Sequence, residues 1–187
     1  MIRTTLAGLL GGLALYMVGF VFWGTPLSAL AFSTVDEAKS AAVQTSLAQN
    51  LVESGTGTYL IPDPGTQQGT TLFGQGPIAT IHFNSGGFPV VDSGALIAGF
   101  VMALAVGLLL AFAMATVASR LPAFGDRARL VILASLAVLV WAHLGQPLFN
   151  HYGWGYFVYL FLSDLVGFVA CGLIIAKMVP VTKVDAV

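Results

Sequence analysis

Two side chains in the apolar stretches of this 187-residue sequence have the chemistry to hold an ion or pass a proton, Asp164 and His143. Asp164 is the one acid, and His143 the one histidine, inside an apolar run long enough to span a bilayer. A charged aspartate at the centre of a membrane helix costs about 2.5–3.5 kcal/mol or more, and its side chain is too short to reach either interface. Asp164 must therefore be neutral, paired or beside water. About nine residues of helix precede it in its run, which places it ~13 Å deep at the helical rise. The run bearing His143 is joined to that of Asp164 by a short link, so the two lie on antiparallel neighbours. His143 is the first candidate partner, ahead of Trp141, Ser135 and a hydroxyl from the first two runs. The helical neighbours Leu160, Phe161, Gly167 and Phe168 offer no side-chain hydrogen bond. Two uses stay open, a structural polar contact and a proton or ion relay. A relay normally needs more polar groups than one acid and one histidine.

Other chemistries find no purchase. The single cysteine, Cys171, permits neither an internal disulfide nor a cysteine metal cluster. A membrane b-type haem is commonly held by two histidines on facing helices, but His82 and His151 lie outside the apolar runs. Acids and histidines do not recur at metal-ligand spacing, so no metal and no cofactor is expected. No serine–histidine or cysteine–histidine arrangement stands out. Gly86-Gly87 is a turn rather than a phosphate cradle, because no helix beginning with Lys-Ser or Lys-Thr comes after it. A net charge of −1 gives no electrostatic footprint for nucleic acid.

The elements that position these residues can be read from composition. Charged residues make up 8% of the chain and hydrophobic ones 57%, with a mean hydropathy of +0.91. A soluble domain carries roughly 25% charged residues, so this chain cannot cover a water-facing surface of its own size. Four runs, residues 6–23, 94–117, 130–148 and 155–179, reach the ~20 apolar residues needed to cross a bilayer. Because lipid offers no hydrogen bonds to the backbone, each must be a helix. The fold class expected is an all-α membrane protein with four transmembrane helices.

Arg3, Arg120, Arg127, Arg129, Lys177 and Lys183 share one side of such a layout, with three of the arginines in the second-to-third link. Only Lys39 falls on the other side, among Asp36, Glu37, Glu53, Asp63 and Asp92. The excess of Lys and Arg marks the cytoplasmic face, so both termini are expected inside and the loop of residues 25–93 in the periplasm. Trp23, Phe149, Tyr152, Trp154 and Tyr156 fall at the expected outer interface. The division is then a first helix in residues 1–24, an extracytoplasmic cap in 25–93, three helices in 94–179 and a tail in 180–187. Ala29-Leu30-Ala31 resembles a signal-cleavage site, but the preceding apolar run exceeds the usual ~7–15 residues of a signal peptide.

Within the cap, Ser33 and Thr34 precede Asp36 and Glu37 at capping-box spacing, which predicts an amphipathic helix over residues 34–52. Its apolar stripe is Val35, Ala38, Ala42, Leu47 and Leu51. Residues 58–61 read as a strand ended by Pro62-Asp63-Pro64-Gly65, residues 67–71 as polar loop, and the alternation about Ala79, Ile81 and Phe83 as a second strand. A helix-plus-β-hairpin cap results. A lone hairpin is marginal in water, so this one needs the helix, the membrane surface or a partner to settle on.

Small residues recur every fourth position in the second run: Ala95, Gly99, Ala103, Gly107, Ala111, Ala115 and Ser119. They let helix backbones approach closely. A four-residue step over-rotates by about 40° per turn, so the stripe winds and no one straight neighbour can use all of it. Gly8 and Gly12, with Ala7 and Gly11, give the first run a similar face, as do Ser163, Gly167 and Cys171 in the fourth. Packing within the chain and contacts in an oligomer or complex are both open uses.

The layout resembles a group of small bacterial inner-membrane proteins of unassigned function. The features carrying the likeness are Val21-Phe22-Trp23-Gly24, Gly57-Thr58-Tyr59-Leu60-Ile61-Pro62, Gly76-Pro77-Ile78 and the link Tyr152-Gly153-Trp154-Gly155-Tyr156. The Asp164 run ending Gly172-Leu173-Ile174-Ile175-Ala176-Lys177 adds to it. The resemblance implies the architecture and no activity. The first function expected is a non-enzymatic accessory or structural subunit of a larger bacterial inner-membrane complex, with lipid and other protein chains as partners. Respiratory and photosynthetic assemblies are examples that no residue selects between. The alternative is a small oligomeric transporter or channel working through Asp164.

Overall fold

The structure is a computed structural model that describes residues 1–181; residues 182–187 of the expected tail, Lys183 among them, lie outside the described residues. In chain order the elements are α1 (Ile2–Trp23), a 3-10 turn (Pro26–Ala31), α2 (Glu37–Leu51), β1 (Gly57–Ile61), α3 (Gln67–Gln75) and β2 (Ala79–Phe83). Next come α4 (Ser93–Val117), α5 (Phe124–Leu139), a π turn (Val140–Leu144), α6 (Gly145–Asn150) and α7 (Trp154–Met178). The chain divides into two compact units, Met1–Ser33 with Ser93–Val187, and Thr34–Asp92.

In the first unit four helices are long and apolar enough to cross a membrane: α1, α4, the stretch Phe124–Asn150 and α7. The seam between α1 and α4 is built from small residues. A Cβ at Gly12 would stand 2.5 Å from the Ala103 carbonyl oxygen, and one at Gly8 would stand 2.8 Å from the Leu108 Cα. A Cβ at Gly107 would collide with the Gly8 carbonyl oxygen and the Gly12 nitrogen. Only residues without a side chain allow this approach, which supplies dispersion contacts where lipid removes the hydrophobic drive. Higher along the seam Tyr16 packs edge-on against Phe100 and donates to the Leu96 carbonyl at 3.2 Å. The contact order, Gly8 beside Leu108 and Tyr16 beside Leu96, makes the two helices antiparallel.

The winding of the α4 stripe is visible in its burial. Ala103, Gly107 and Ala111 are buried, and the buried line continues through Met114 and Ala118 rather than Ala115. Ala95 and Ala115, either side of that centre, are exposed, and Ser119 at the far end is half-buried. The other face of α1 meets α7: Gly11 faces Cys171 and Ile175, and Gly167 faces Leu15. Val131 of α5 sits over Gly172 of α7. A cavity of about 420 Å³, walled by Leu110, Met114 and Val117 of α4, Val131 and Ser135 of α5 and Phe168 of α7, separates α4 from α5.

Helix α5 begins at Phe124, so Arg127 and Arg129 lie on its first turns rather than in the link where the sequence suggested them. Asp126 in the first turn suits the positive end of the helix dipole. Arg127 is 6% exposed and donates through Nη1 to the Val179 carbonyl at 2.8 Å. That carbonyl lies just past the end of α7, where helices leave acceptors without partners. The contact also ties the start of α5 to the end of α7.

The second unit differs from expectation in two places. Residues 67–71 are not loop but the start of α3. Thr66 accepts from the Gly69 N–H at 2.9 Å as N-cap, and the Asp63 carboxylate accepts from the Gly65 N–H at 2.9 Å. These local bonds nucleate a helix that a reading by hydrophobic period misses. The strands pair antiparallel, Gly57 opposite Phe83 through Ile61 opposite Ala79, with α3 inside the connection. Helix α2 is capped by Asp36, which accepts from the Lys39 N–H at 2.9 Å, rather than by Ser33 or Thr34. Its expected apolar stripe is not a packed face: Leu51 is buried and Leu47 half-buried, but Val35, Ala38 and Ala42 are exposed.

Candidate intramembrane polar site

His143 owes its position to an interruption in the third span. Pro147 lacks an N–H, so the carbonyl four residues back, that of His143, loses its helical partner, and the proline ring crowds the same carbonyl. The chain answers by widening one turn, Val140–Leu144, into a π turn and restarting as α6 at Gly145. The extra residue rotates the face of α5 by about 100° relative to that of α6. Single π turns of this kind are rare and concentrate at functional sites. Pro147 is the sequence signal for it, and reading the run by hydropathy alone passes over it.

Asp164 lies on α7, and its Oδ2 stands 2.8 Å from Nε2 of His143. A proton on either atom closes this bond, and with both groups charged it becomes an ion pair. The His143 and Asp164 side chains are 17% and 35% exposed. Ser163, the preceding residue, extends the site towards α1. Its hydroxyl accepts from the Trp23 indole N–H at 3.2 Å and has one proton to give. That proton goes to the Leu160 carbonyl at 3.1 Å or to Asp164 Oδ1 at 3.4 Å, the longer of the two. Sequence reasoning passes over Ser163 as a partner because adjacent helical residues do not normally face each other.

The aromatic end of α1 fixes this arrangement from the other side. Tyr159 donates to the Phe22 carbonyl at 2.6 Å, satisfying one of the free acceptors at the end of α1. Its ring meets those of Trp23 and Phe22 edge-on, with centroids 5.1 and 5.7 Å away. Trp141 is 74% exposed and meets the Phe149 ring edge-on, so it does not join Asp164; Ser135 lies at the cavity between α4 and α5. Of the small residues singled out in the sequence, Gly8, Gly12, Ala103 and Gly107 meet in the α1–α4 seam. Ala111 is buried in the same core as Ala7, and Gly167 holds α7 against α1. Gly99 is different. A Cβ there would meet only the Tyr16 ring, at 3.9 Å, and it borders a second cavity.

That cavity, about 530 Å³, lies between α1, α4 and α7, and Asp164 forms part of its wall. Asp164 therefore connects His143 to an otherwise apolar space. Among the described residues no group of three or more histidines, cysteines and acids stands together. The site can hold one proton between two groups, and Asp164 places it at the edge of the cavity. Comparison with family models, with curated proteins and with solved structures finds no match to this chain.

Proposed function

We propose that the chain is a non-enzymatic accessory subunit of a larger bacterial inner-membrane assembly. The observation carrying this reading is exposed apolar surface outside the four long helices. Phe88, Val90 and Val91 precede α4 and are 69%, 102% and 75% exposed, and Val35 and Val43 are 65% and 57% exposed. Exposed apolar residues grouped as Phe88, Val90 and Val91 are a usual mark of a protein or membrane contact. In this reading both termini are cytoplasmic and residues 25–93 periplasmic. Supporting it, Arg3, Arg120, Arg127, Arg129 and Lys177 all belong to the end of the bundle where α1 starts and α7 finishes. A periplasm-active reporter should work at Gln67, and a cytoplasm-active one beside Asp126 and at the C-terminus. Activity of the cytoplasmic reporter at Gln67 would reverse the orientation.

Purification in mild detergent tests the subunit reading. The chain should co-purify with other chains in fixed proportion, and Phe88→Ser with Val91→Ser should release them while the four-helix unit stays folded. A chain that purifies alone as a homo-oligomer and leaks ions in liposomes would support the second reading, a small transporter. Asp164, paired with His143 and lining a cavity, favours that alternative. There Asp164→Asn abolishes transport in a folded protein, whereas a structural aspartate tolerates the amide.

A further inference from the structure

We propose that the cavity between α1, α4 and α7 is a binding site for a lipid-soluble organic cation, a protonated amine on an apolar body, with Asp164 as its counter-charge. The side-chain donors of the wall are already engaged: the Tyr16 hydroxyl donates to the Leu96 carbonyl, and the Trp23 indole N–H donates to Ser163. The Gly24 N–H is likewise bound, to the Phe20 carbonyl at 2.7 Å. A phosphate, a carboxylate or a ligand bearing only carbonyls would find those donors taken, and would leave its polar atoms unpaired in an apolar space.

Acceptor capacity, by contrast, is spare. His143 occupies Oδ2 of Asp164, while Oδ1 has only the long Ser163 contact at 3.4 Å among the described residues. The hydroxyl of Ser163 has the Leu160 carbonyl closer, at 3.1 Å. A carboxylate oxygen with unfilled lone pairs at a low-dielectric wall attracts a donor, and a positively charged donor most of all.

The remaining wall selects the same class. Tyr16, Phe20, Trp23 and Phe168 bring four aromatic rings to the cavity. Ring faces attract ammonium groups, and such cages with a nearby acid are the common solution for binding organic cations. Access is from the side of the helices: Phe20 and Met102, both lining the cavity, are 42% and 67% exposed. A volume of about 530 Å³ falls in the ~300–1,000 Å³ range of small-molecule sites and admits a ring system with its head group. The site is formed within one chain, so it stands independently of the subunit reading.

The test uses the full chain in nanodiscs of zwitterionic lipid, with empty nanodiscs subtracted. Three probes of one shape are titrated at neutral pH: 1-naphthylmethylammonium, the uncharged 1-naphthylmethanol and the anionic 1-naphthoate. The ammonium should bind about tenfold more tightly than the alcohol, and the naphthoate should not bind. Asp164→Asn should erase the preference for the ammonium. Gly99→Phe is designed to fill the cavity from a position where an added Cβ meets only the Tyr16 ring, at 3.9 Å, and it changes neither His143 nor Asp164. It should abolish binding in a folded protein, so the test survives even if Asp164→Asn does not fold. Equal binding of alcohol and ammonium, binding of naphthoate, a preference that persists in Asp164→Asn, or undiminished binding in Gly99→Phe would each overturn the proposal.

Discussion

In the α1–α4 seam, Gly8, Gly12 and Gly107 bring two backbones together over tens of residues of sequence separation. In residues 34–92, Asp36, Asp63 and Thr66 hold short elements through hydrogen bonds to N–H groups two or three residues away. The contrast comes from solvent. Lipid already satisfies apolar side chains, so helices associate only where backbones come close enough for dispersion and polar contacts to matter. Water competes for every hydrogen bond, so the unit of residues 34–92 depends on local bonds that cost little ordering. Damage should therefore spread through the four-helix unit and stay local in the other.

The largest effect is expected from Gly107→Leu. Its Cβ meets the Gly8 carbonyl oxygen and the Gly12 backbone, neither of which can move without shifting a whole helix. Overpacking costs of about 3 kcal/mol or more are expected, with loss of exchange protection across α1 and α4 together. Protection in α3 should be unchanged. Unaltered unfolding of this variant in bicelles would mean that the seam does not hold the bundle together.

Next in size is the coupling between His143 and Asp164. Double-mutant cycles inside membrane proteins average ~0.6 kcal/mol and reach ~1.7. At 2.8 Å this pair belongs near the top of that range, about 1.5 kcal/mol. His143→Phe, Asp164→Asn and the double variant, unfolded under one condition, give the value directly. A coupling of zero would leave the two groups as neighbours without an interaction.

The same contrast explains what the sequence revealed. Four apolar runs and the glycines of the first and second are long-range features with strong patterns, and a winding stripe is a consequence of helical geometry alone. The exposure of Ala95 and Ala115, and the burial of Gly107 at its centre, result from the 40° over-rotation. The proximity of His143 and Asp164 was legible because only one acid and one histidine occupied adjacent spans. What stayed hidden was local. Helix α3 rests on Thr66 and Asp63, short polar residues that read equally well as loop, and the π turn rests on a single Pro147 inside an apolar run. The stripe on α2 was legible as a pattern but carried no packing, since period alone does not supply a surface to cover it.

Gly69→Ala tests whether damage in residues 34–92 is confined. A Cβ at Gly69 would collide with the Asp63 carbonyl oxygen, which the turn before α3 holds in place. A loss of about 1–3 kcal/mol is expected, read as lost exchange protection in α3. The amides of α1, α4 and α7 should keep theirs. Loss of protection in those helices as well would show that the two units unfold as one and that the contrast is false.

The smallest effect concerns the cap of α2, and it is read by titration. The Lys39 side chain, 2.7 Å away, and then the Lys39 N–H hold the Asp36 carboxyl below the ordinary carboxylate value. A depressed value in the folded chain means that the cap contributes fully above the unfolded value. The contribution is lost as pH falls through the lower folded value. The Lys39 amide proton shift should track this titration with a midpoint below that of an unfolded aspartate, and Asp36→Asn should flatten the curve. Because the group is fully exposed, added salt should move the midpoint back towards the ordinary value by screening Lys39. A midpoint at or above the ordinary value would place the start of α2 under some control other than Asp36. Exchange in α7 should show no matching transition, since nothing in that helix depends on this carboxylate.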